Sequence, residues 1–203
     1  MTKIDFKKTL KTLYAPSKKD FSLVDVPSMN FVMIDGAGPP GNQAYVDACE
    51  WLYPISYGLK FMSKIDLGRD YVVPPLEGLW WADSMSAYTE DRRDEWLWTL
   101  MIMQPEWITS KMFTRSLEKA SKKLGTPPET LRFEAFQEGQ SAQIMHIGPY
   151  SKEGPILARL HDEYMPENRL TWNRKHHEIY LSDPRRAAPE KLKTVLRQPV
   201  RSV

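Results

Sequence analysis

Tyrosines and one strand carboxylate are the residues of this sequence best suited to chemistry. Tyr53 and Tyr57 are four residues apart, which places them on one face of a helix. Glu178 and Tyr180 are two residues apart, which places them on one face of a strand. Aromatic rings supply stacking and cation–π attraction, and a carboxylate supplies charge or accepts a proton. Such a set suits flat, lipophilic and often cationic molecules.

Tryptophan is unusually abundant. The 203 residues include seven Trp, nine Tyr and seven Phe, and a buried Trp needs a partner for its indole N–H, so we expect some of these rings to line a site. Trp80 and Trp81 alternate on one predicted strand, and Trp96 and Trp98 share one face of another. The alternative is that the rings are core and that Glu178 is a solvated strand residue.

A glycine-rich pattern in residues 36–41 matches G-x-G-x-x-G between a predicted strand and a predicted helix. In dinucleotide-binding proteins this motif aims backbone N–H groups at a pyrophosphate. Pro39 and Pro40 have no N–H, and the acidic residue that should end a later strand falls in a helical stretch. We therefore interpret the pattern as a turn and expect no nucleotide cofactor.

The histidine, cysteine and serine residues do not form a familiar catalytic or metal-binding motif. His176 and His177 are adjacent on a strand and point to opposite faces, and His161 belongs to a helix face, so we expect no metal. The single cysteine, Cys49, excludes an internal disulfide and a multi-cysteine zinc site; its apolar helical setting favours inert core over a nucleophile. No serine has the G-x-S-x-G context of a hydrolase triad.

The charge and hydropathy of the sequence exclude several classes of binding partner. The net charge of +2 leaves no basic field for nucleic acid or an anionic membrane. There is no apolar run of about 18 residues, and the polar N-terminal residues lead us to expect no secretory signal. With 41% hydrophobic and 27% charged residues, the chain should be globular, and one cysteine fits a cytoplasmic setting.

These residues have to be positioned by a small set of elements. Residues 1–28 are polar and basic and are interpreted as an N-terminal arm, with the domain spanning 29–203. The first half is predicted to contain a strand over 30–35, a helix over 42–64 that Pro54 kinks or splits, extended segments at 71–73 and 76–81, a strand over 96–103 and a helix from Pro105 to about Leu124. The second half is predicted to contain a hairpin of 131–136 and 142–147 about residues 138–139, a helix over 151–165 and strands over 176–182 and 193–197.

The two halves show an internal repeat. Residues 33–36 are similar to 145–148, 78–83 to 178–183 and 103–105 to 197–199, in the same order. Coincidental turn residues remain the alternative. The matches predict two strand–helix–strand–strand copies, about 30–105 and 130–200, with the 105–125 helix after the first. The fold class is therefore α+β: one antiparallel sheet, helices on one face and a central ligand groove, in which Trp80, Glu178 and Tyr180 could converge.

Several segments resemble the GyrI-like (gyrase inhibitor-like) family of small-molecule-binding proteins. The segments are PSMNFVMIDGAGPPGN, YPISYGLKFMSK, PLEGLWW, WLWTLMIMQPEWI, HIGPYSKEGP and HHEIYLSDPRRAAPEKLKTVLRQPV. The resemblance runs from about Pro27 to Val200. It implies a tandem strand–helix–strand–strand fold with a central groove, in agreement with the repeat.

The resemblance also implies what the protein does. The family includes drug-sensing domains that bind lipophilic cations with aromatics and a buried Glu, inhibitors of DNA gyrase, and a stand-alone branch that hydrolyses the cyclopropane of DNA-alkylating cyclopropanoids. The Trp-rich PLEGLWW and WLW segments resemble the stand-alone branch. We therefore expect a xenobiotic hydrolase, and alternatively a non-enzymatic protein that sequesters flat lipophilic or cationic compounds. More distantly, the protein could inhibit gyrase.

Hydrolysis of a cyclopropyl dienone needs an acceptor for a proton of water and a donor for the developing oxyanion. We expect Glu178 to be the acceptor and a tyrosine to be the donor, with three candidates left open: Tyr57, Tyr71 and Tyr180. The ligand-binding set is expected to be Tyr53, Trp80, Trp81, Trp98 and His146. We expect a monomer, because a closed pair of repeats forms its own groove.

Overall fold

The computed structural model describes residues 2–84 and 92–203. The chain divides into two compact units. The first unit comprises Met1–Thr9 and Ser28–Phe136, and the second comprises Leu10–Pro27 and Gln137–Val203. The segment that the sequence suggested as an arm is therefore shared between two units, and Leu13 and Tyr14 are buried.

The first unit is built on three antiparallel strands. Strand β3 (Leu97–Gln104) is central and pairs with β1 (Ser22–Ala37) and with β2 (Leu76–Trp81). Strand β1 begins at Ser22 and not at residue 30 as predicted. It passes through Pro27, whose side chain is exposed, and a proline is tolerated in a strand where its missing N–H is not needed.

Helix α3 (Gln43–Asp66) packs against β3, and α4 (Ser110–Leu124) packs against α3. Two shorter helices near the N-terminus are α1 (Phe6–Thr9), in the first unit, and α2 (Lys11–Tyr14), in the second. The Asn42 side chain accepts a hydrogen bond from the backbone N–H of Tyr45 at 2.8 Å and begins α3. Pro54 lies inside α3 without dividing it. Helix α4 begins at Ser110, and not at Pro105 as predicted, because Thr109 caps it.

The second unit has the same strand–helix–strand–strand order with one added strand. Strand β7 (Lys193–Ser202) pairs antiparallel with β4 (Arg132–Ile147), β6 (His176–Tyr180) and the unpredicted β5 (Leu170–Trp172). Between β4 and β5 lie a 3₁₀ turn (Tyr150–Lys152), α5 (Gly154–Arg159), a π-helical turn (Leu160–Tyr164) and α6 (Met165–Glu167). Leu160 and Met165 pack on Ala142 and Val200, so this helical segment covers one face of the strands.

The predicted hairpin about residues 138–139 is wrong, because β4 continues through both. Gly139 has a φ of 77°, which lets the strand pass an irregular position without a turn. Glu138 is buried at 2% exposure and is held by buried cationic partners. The Glu138–Gly139 pair, a combination typical of turns, therefore lies inside a strand.

The α+β class and the antiparallel arrangement are confirmed, but the three repeat anchors are not mutually consistent. Gly78 pairs with Leu100, and Glu178 pairs with Leu196. When these two pairs are matched, the third anchor, 103–105 against 197–199, is two residues out of register. A shift of two keeps each side chain on its own face. The helices of residues 2–84 and 92–203 include none that is long and apolar enough to cross a membrane.

Candidate functional site

Glu178 is the centre of a polar cluster on the helix-covered face of the second unit. It shares a face of β6 with Tyr180, as predicted, and the Tyr180 hydroxyl donates a hydrogen bond to Glu178 Oε2 at 2.9 Å. His176 lies on the same face, with Nε2 3.7 Å from Glu178 Oε1. The Glu178 side chain is only 17% exposed. This strand thus presents one carboxylate and one tyrosine to a largely dry environment.

Glu153 supplies a second carboxyl group that the sequence analysis missed. It stands between the Tyr150–Lys152 turn and α5 and is 6% exposed. Its Oε1 atom has no hydrogen-bond partner among the described residues. Burial and the nearby Glu178 carboxylate raise the pKa of Glu153, against a smaller opposite effect of the Thr194 hydroxyl. Glu153 is therefore a carboxyl group that favours its protonated form.

The pKa of Glu178 is raised as well, for a partly different reason. Burial raises the pKa of this carboxyl, and the hydrogen bond from Tyr180 and the charge of His177 oppose the rise. Because two close carboxylates resist ionising together, the pair tends to hold one proton between them. Of the two, Glu178 has the pKa that is raised less, to about 7 against about 9 for Glu153, so Glu178 is the one that ionises first. The arrangement therefore provides a proton acceptor at Glu178 and a proton donor at Glu153.

Strands β4, β6 and β7, together with the turn that follows β4, bring further polar and aromatic groups to the same face. Thr194 pairs with Tyr180 on one side and with His146 on the other. The Tyr150 ring meets the Tyr180 ring edge to face, with centroids 5.9 Å apart. Burial and the charges of Glu153, Glu178 and Asp183 raise the pKa of Tyr150 to about 12. Tyr150 thus stays protonated and can donate a hydrogen bond at neutral pH.

His146 was predicted to bind ligand, and it lies in the same row of side chains. The residue is 4% exposed, and Nε2 is 3.2 Å from the carbonyl oxygen of Pro149. The histidine therefore packs against the turn that leads to Tyr150 and Glu153. In this position it supports the loop that carries both of them.

The predicted tryptophans form an aromatic cluster inside the first unit. The Tyr45 ring stacks on the Trp80 ring, with centroids 6.4 Å apart, and meets the Trp98 ring edge to face, with centroids 5.9 Å apart. Trp98 lies directly over Gly36, and it is 1% exposed while Trp80 is 4% exposed. Trp81, next to Trp80 on β2, faces the opposite side of the strand. The packing of Trp80 and Trp98 favours the alternative in which these two rings are core.

The other predicted tyrosines also lie in the first unit. Tyr57 exposes 47% of its surface on α3, and Tyr53 is half-buried on the same helix. Tyr71 is fully buried, and its hydroxyl donates a hydrogen bond to Gln104 Oε1 at 3.1 Å. Burial raises the pKa of the Tyr71 hydroxyl. Among the three donor candidates, Tyr180 is the one with an observed hydrogen bond to Glu178.

A buried ion network occupies the opposite face of the second unit. Glu138 Oε2 accepts a hydrogen bond from Arg197 Nη1 at 3.0 Å, and both Glu138 oxygens lie within 3.0 Å of His177 Nδ1. Burial alone would raise the pKa of Glu138, but the charges of His177 and Arg197 lower it to about 2. Arg197 also donates to the carbonyl of Leu13 at 2.7 Å, and Gln143 donates to the carbonyl of Thr12 at 2.6 Å. This network holds the N-terminal segment against the strands.

The sequence contained a signal for the missed residues. In the segment HIGPYSKEGP, His146 lies near the end of β4, and Tyr150 and Glu153 follow in the turn region before α5. A carboxylate in such a turn is usually solvated, so its burial was not foreseen. In the described parts of the chain, no group of three or more His, Cys, Asp or Glu side chains is placed to hold a metal ion.

Comparison with known proteins places the chain among small-molecule-binding domains. The model of the GyrI-like small molecule binding domain matches residues 19–201. Two solved structures from Listeria innocua, an uncharacterized conserved protein and a hydrolase, are each 42% identical to the chain, with TM-scores of 0.90 and 0.84. In both cases the similarity covers 98% of this chain and 100% of the other.

A more remote structure shares the fold alone. The EcmrR C-terminal domain has a TM-score of 0.58 at 12% identity, covering 91% of this chain and 98% of that one. No curated protein sequence is detectably similar to the chain.

Proposed function

The chain belongs to the family of GyrI-like small-molecule-binding domains, and from that premise we propose that it hydrolyses the cyclopropane of flat, lipophilic cyclopropanoids at Glu178. The observation that carries this proposal is the buried pair of carboxyl groups, Glu153 and Glu178, beside the Tyr180 hydroxyl. The 42% identity to structures described as Listeria innocua hydrolases supports the choice of hydrolysis.

In the proposed mechanism Glu178 is the general base. Water attacks the less hindered ring carbon of a cyclopropyl dienone, the strained C–C bond breaks, and its electron pair moves through the conjugated system to the carbonyl oxygen. Glu178 takes one proton from the attacking water, and the Tyr180 hydroxyl, bound to Glu178 at 2.9 Å, holds the carboxylate in one orientation. The product carries a hydroxyl group on the opened carbon.

Glu153 is the proton source in this proposal. The electron pair that reaches the dienone oxygen produces a phenolate, which must be stabilised or protonated. A carboxyl group whose pKa is raised by burial carries its proton at neutral pH and can donate it. The proton then held by Glu178 returns to Glu153 through solvent or directly, so the site ends in its starting state. We propose Tyr150, whose hydroxyl stays protonated at neutral pH, as the second hydrogen-bond donor to the same oxygen.

Turnover of a cyclopropyl dienone in large molar excess over the protein tests the proposal. Ring-opened product beyond one equivalent, followed by mass spectrometry, is the expected result. Glu178→Gln should retain binding, because a glutamine oxygen can still accept the Tyr180 hydrogen bond, and should lower the rate roughly 10²–10⁴-fold by removal of the base. The matched control is Glu163→Gln, an exposed carboxylate of the same unit. A Glu178→Gln variant that hydrolyses the dienone at the wild-type rate would show that Glu178 is not the base.

Sequestration of a lipophilic cation is the second candidate function. It is favoured by the same buried carboxyls together with the Tyr150 and Tyr180 rings, because an ionised pair attracts a cation and the rings add cation–π contact. A bound cation stabilises the carboxylate forms and expels a proton, so its affinity should rise with pH. Saturable binding of a lipophilic cation by calorimetry, lost in Glu178→Gln, together with no ring-opened product beyond one equivalent from the dienone, distinguishes this function from hydrolysis.

A further inference from the structure

Helix α3 carries an apolar strip that the first unit leaves uncovered. Tyr57, Phe61 and Ile65 expose 47%, 51% and 77% of their surfaces. Their spacing of four residues places them along one face of the helix. Large exposed apolar residues that lie side by side mark interaction surfaces more often than scattered ones do. We call these three residues the apolar strip.

A groove of about 230 Å³ lies beside the apolar strip, between α3 and α4. Its floor is formed where the two helices come closest: a Cβ atom at Gly58 would stand 2.2 Å from the Ser116 hydroxyl oxygen. The glycine therefore permits the close approach, and the Ser116 hydroxyl donates to the carbonyl of Ile55 at 2.9 Å. The groove is lined by Phe61, Met62, Ile65, Asp66, Arg115 and Lys119.

The far wall of the groove is basic. Helix α4 exposes a basic row at spacings of four, four and three residues, made of Lys111, Arg115, Lys119 and Lys122. Glu118 is the only acidic residue in the sequence of α4. Asp66 compensates for one of these charges, through an ion pair with Arg115 at 3.0 Å. The surface as a whole therefore combines an apolar strip with an excess of positive charge.

We propose that the apolar strip and the basic row together bind an acidic amphipathic helix of a partner protein. Apolar side chains of such a helix, spaced three or four residues apart, would enter the groove between α3 and α4. Its Asp and Glu residues, one helical face away, would meet the basic row, which fixes orientation and speeds association. The surface lies wholly in the first unit, so this proposal stands independently of hydrolysis.

The observations favour a protein helix over the other anionic partners. Nucleic acid would use the basic row but would leave the apolar strip exposed, because phosphates offer it no apolar contact. A membrane surface favours a protruding apolar face, whereas here the apolar residues border a concave groove. A helix satisfies both features at once.

Two labelled helical peptides of the same length test the proposal by fluorescence anisotropy. Both carry leucines at three- and four-residue spacing; one has Glu and the other Lys at the flanking positions. The wild-type protein should bind the Glu peptide roughly tenfold or more tightly than the Lys peptide. Lys119→Glu should remove most of this preference, and Ile65→Ser should weaken binding of the Glu peptide roughly tenfold. The control Lys191→Glu makes the same charge change at an exposed site of the second unit and should have no effect.

Four results would overturn the proposal. They are no binding of the Glu peptide up to about 1 mM, equal binding of the two peptides, an equal effect of Lys119→Glu and Lys191→Glu, and binding to phosphatidylserine vesicles without binding to the Glu peptide. Sedimentation of the wild-type protein and the Ile65→Ser variant provides a further check. A wild-type dimer that Ile65→Ser dissociates would assign the strip to a second copy of the chain instead.

Discussion

Replacing Glu153 by glutamine should stabilise the protein at neutral and alkaline pH and leave its stability at pH 4 unchanged. In the unfolded chain a glutamic acid ionises near its ordinary pKa of 4.5, whereas burial and the Glu178 carboxylate raise the pKa of Glu153 in the fold. Below pH 4.5 both states hold the proton. Above it, the unfolded state releases the proton while the folded state retains it, so the fold loses stability as the pH rises toward the raised pKa.

The size of the effect follows from the same linkage. Each unit by which the folded pKa exceeds the unfolded one costs about 1.4 kcal/mol at alkaline pH. For a chain of this length, 1 kcal/mol moves the melting temperature by roughly 2–4 °C. One unit alone therefore predicts that Glu153→Gln raises the melting temperature at pH 8 by roughly 3–6 °C. Glutamine keeps the shape of the side chain and carries no charge, so the cost disappears.

Differential scanning calorimetry of the wild type and two variants between pH 4 and pH 9 measures this directly. The stabilisation by Glu153→Gln should be absent at pH 4 and should grow steadily above pH 5. The exposed carboxylate of Glu163, changed to glutamine, should give curves that coincide with the wild type. A Glu153→Gln variant that melts lower than the wild type at pH 8 would refute the reasoning, because it would mean that the folded state uses the Glu153 charge. This experiment needs no substrate.

Two further predictions concern the packing of each unit. Glu138→Gln should lower the free energy of unfolding, measured with urea at pH 7, by about 3–5 kcal/mol, because it leaves Arg197 buried without its carboxylate. In the wild type the stabilisation by the Glu138 carboxylate should be present above the ordinary pKa of 4.5. It should be lost as the pH falls toward the lowered pKa of about 2. Gly36→Ala should lower the free energy of unfolding by about 1–3 kcal/mol, since a Cβ atom there would stand 2.1 Å from the Trp98 ring. The control Gly154→Ala should leave it unchanged, because a Cβ atom at residue 154 would have nothing within 4 Å. Equal losses in the two alanine variants would show that Trp98 does not constrain residue 36.

Periodicity and capping residues predicted most elements of the fold. The apolar spacing of residues 42–64 predicted α3 to within two residues at either end, because Asn42 caps its first turn. The apolar runs over residues 76–81 and 96–103 predicted β2 and β3 to within one residue at either end. The predicted strand ends were wrong where a residue that usually ends a strand is kept inside it by pairing with distant strands. Pro27 lies within β1 and Gly139 lies within β4.

The candidate site was predicted in part. The two-residue spacing of Glu178 and Tyr180 placed them on one face, and their hydrogen bond agrees with that placement. Trp80 and Trp98 were expected to line a site because a buried indole N–H needs a partner. Both rings are nevertheless buried inside the first unit, where Gly36 makes room for Trp98.

Residue types and their spacing were enough to establish the α+β class, the repeated order of elements and the face of β6 that Glu178 and Tyr180 share, because these depend on neighbours within a few positions of one another. Glu153 and Glu138 were beyond that reach. The pKa of Glu153 is raised beside Glu178, and the pKa of Glu138 is lowered between Arg197 and His177. These shifts depend on groups that lie up to 59 positions away in the sequence. Desolvation and Coulomb interaction act through space rather than along the chain, so folding assigns opposite protonation behaviour to two residues of the same type.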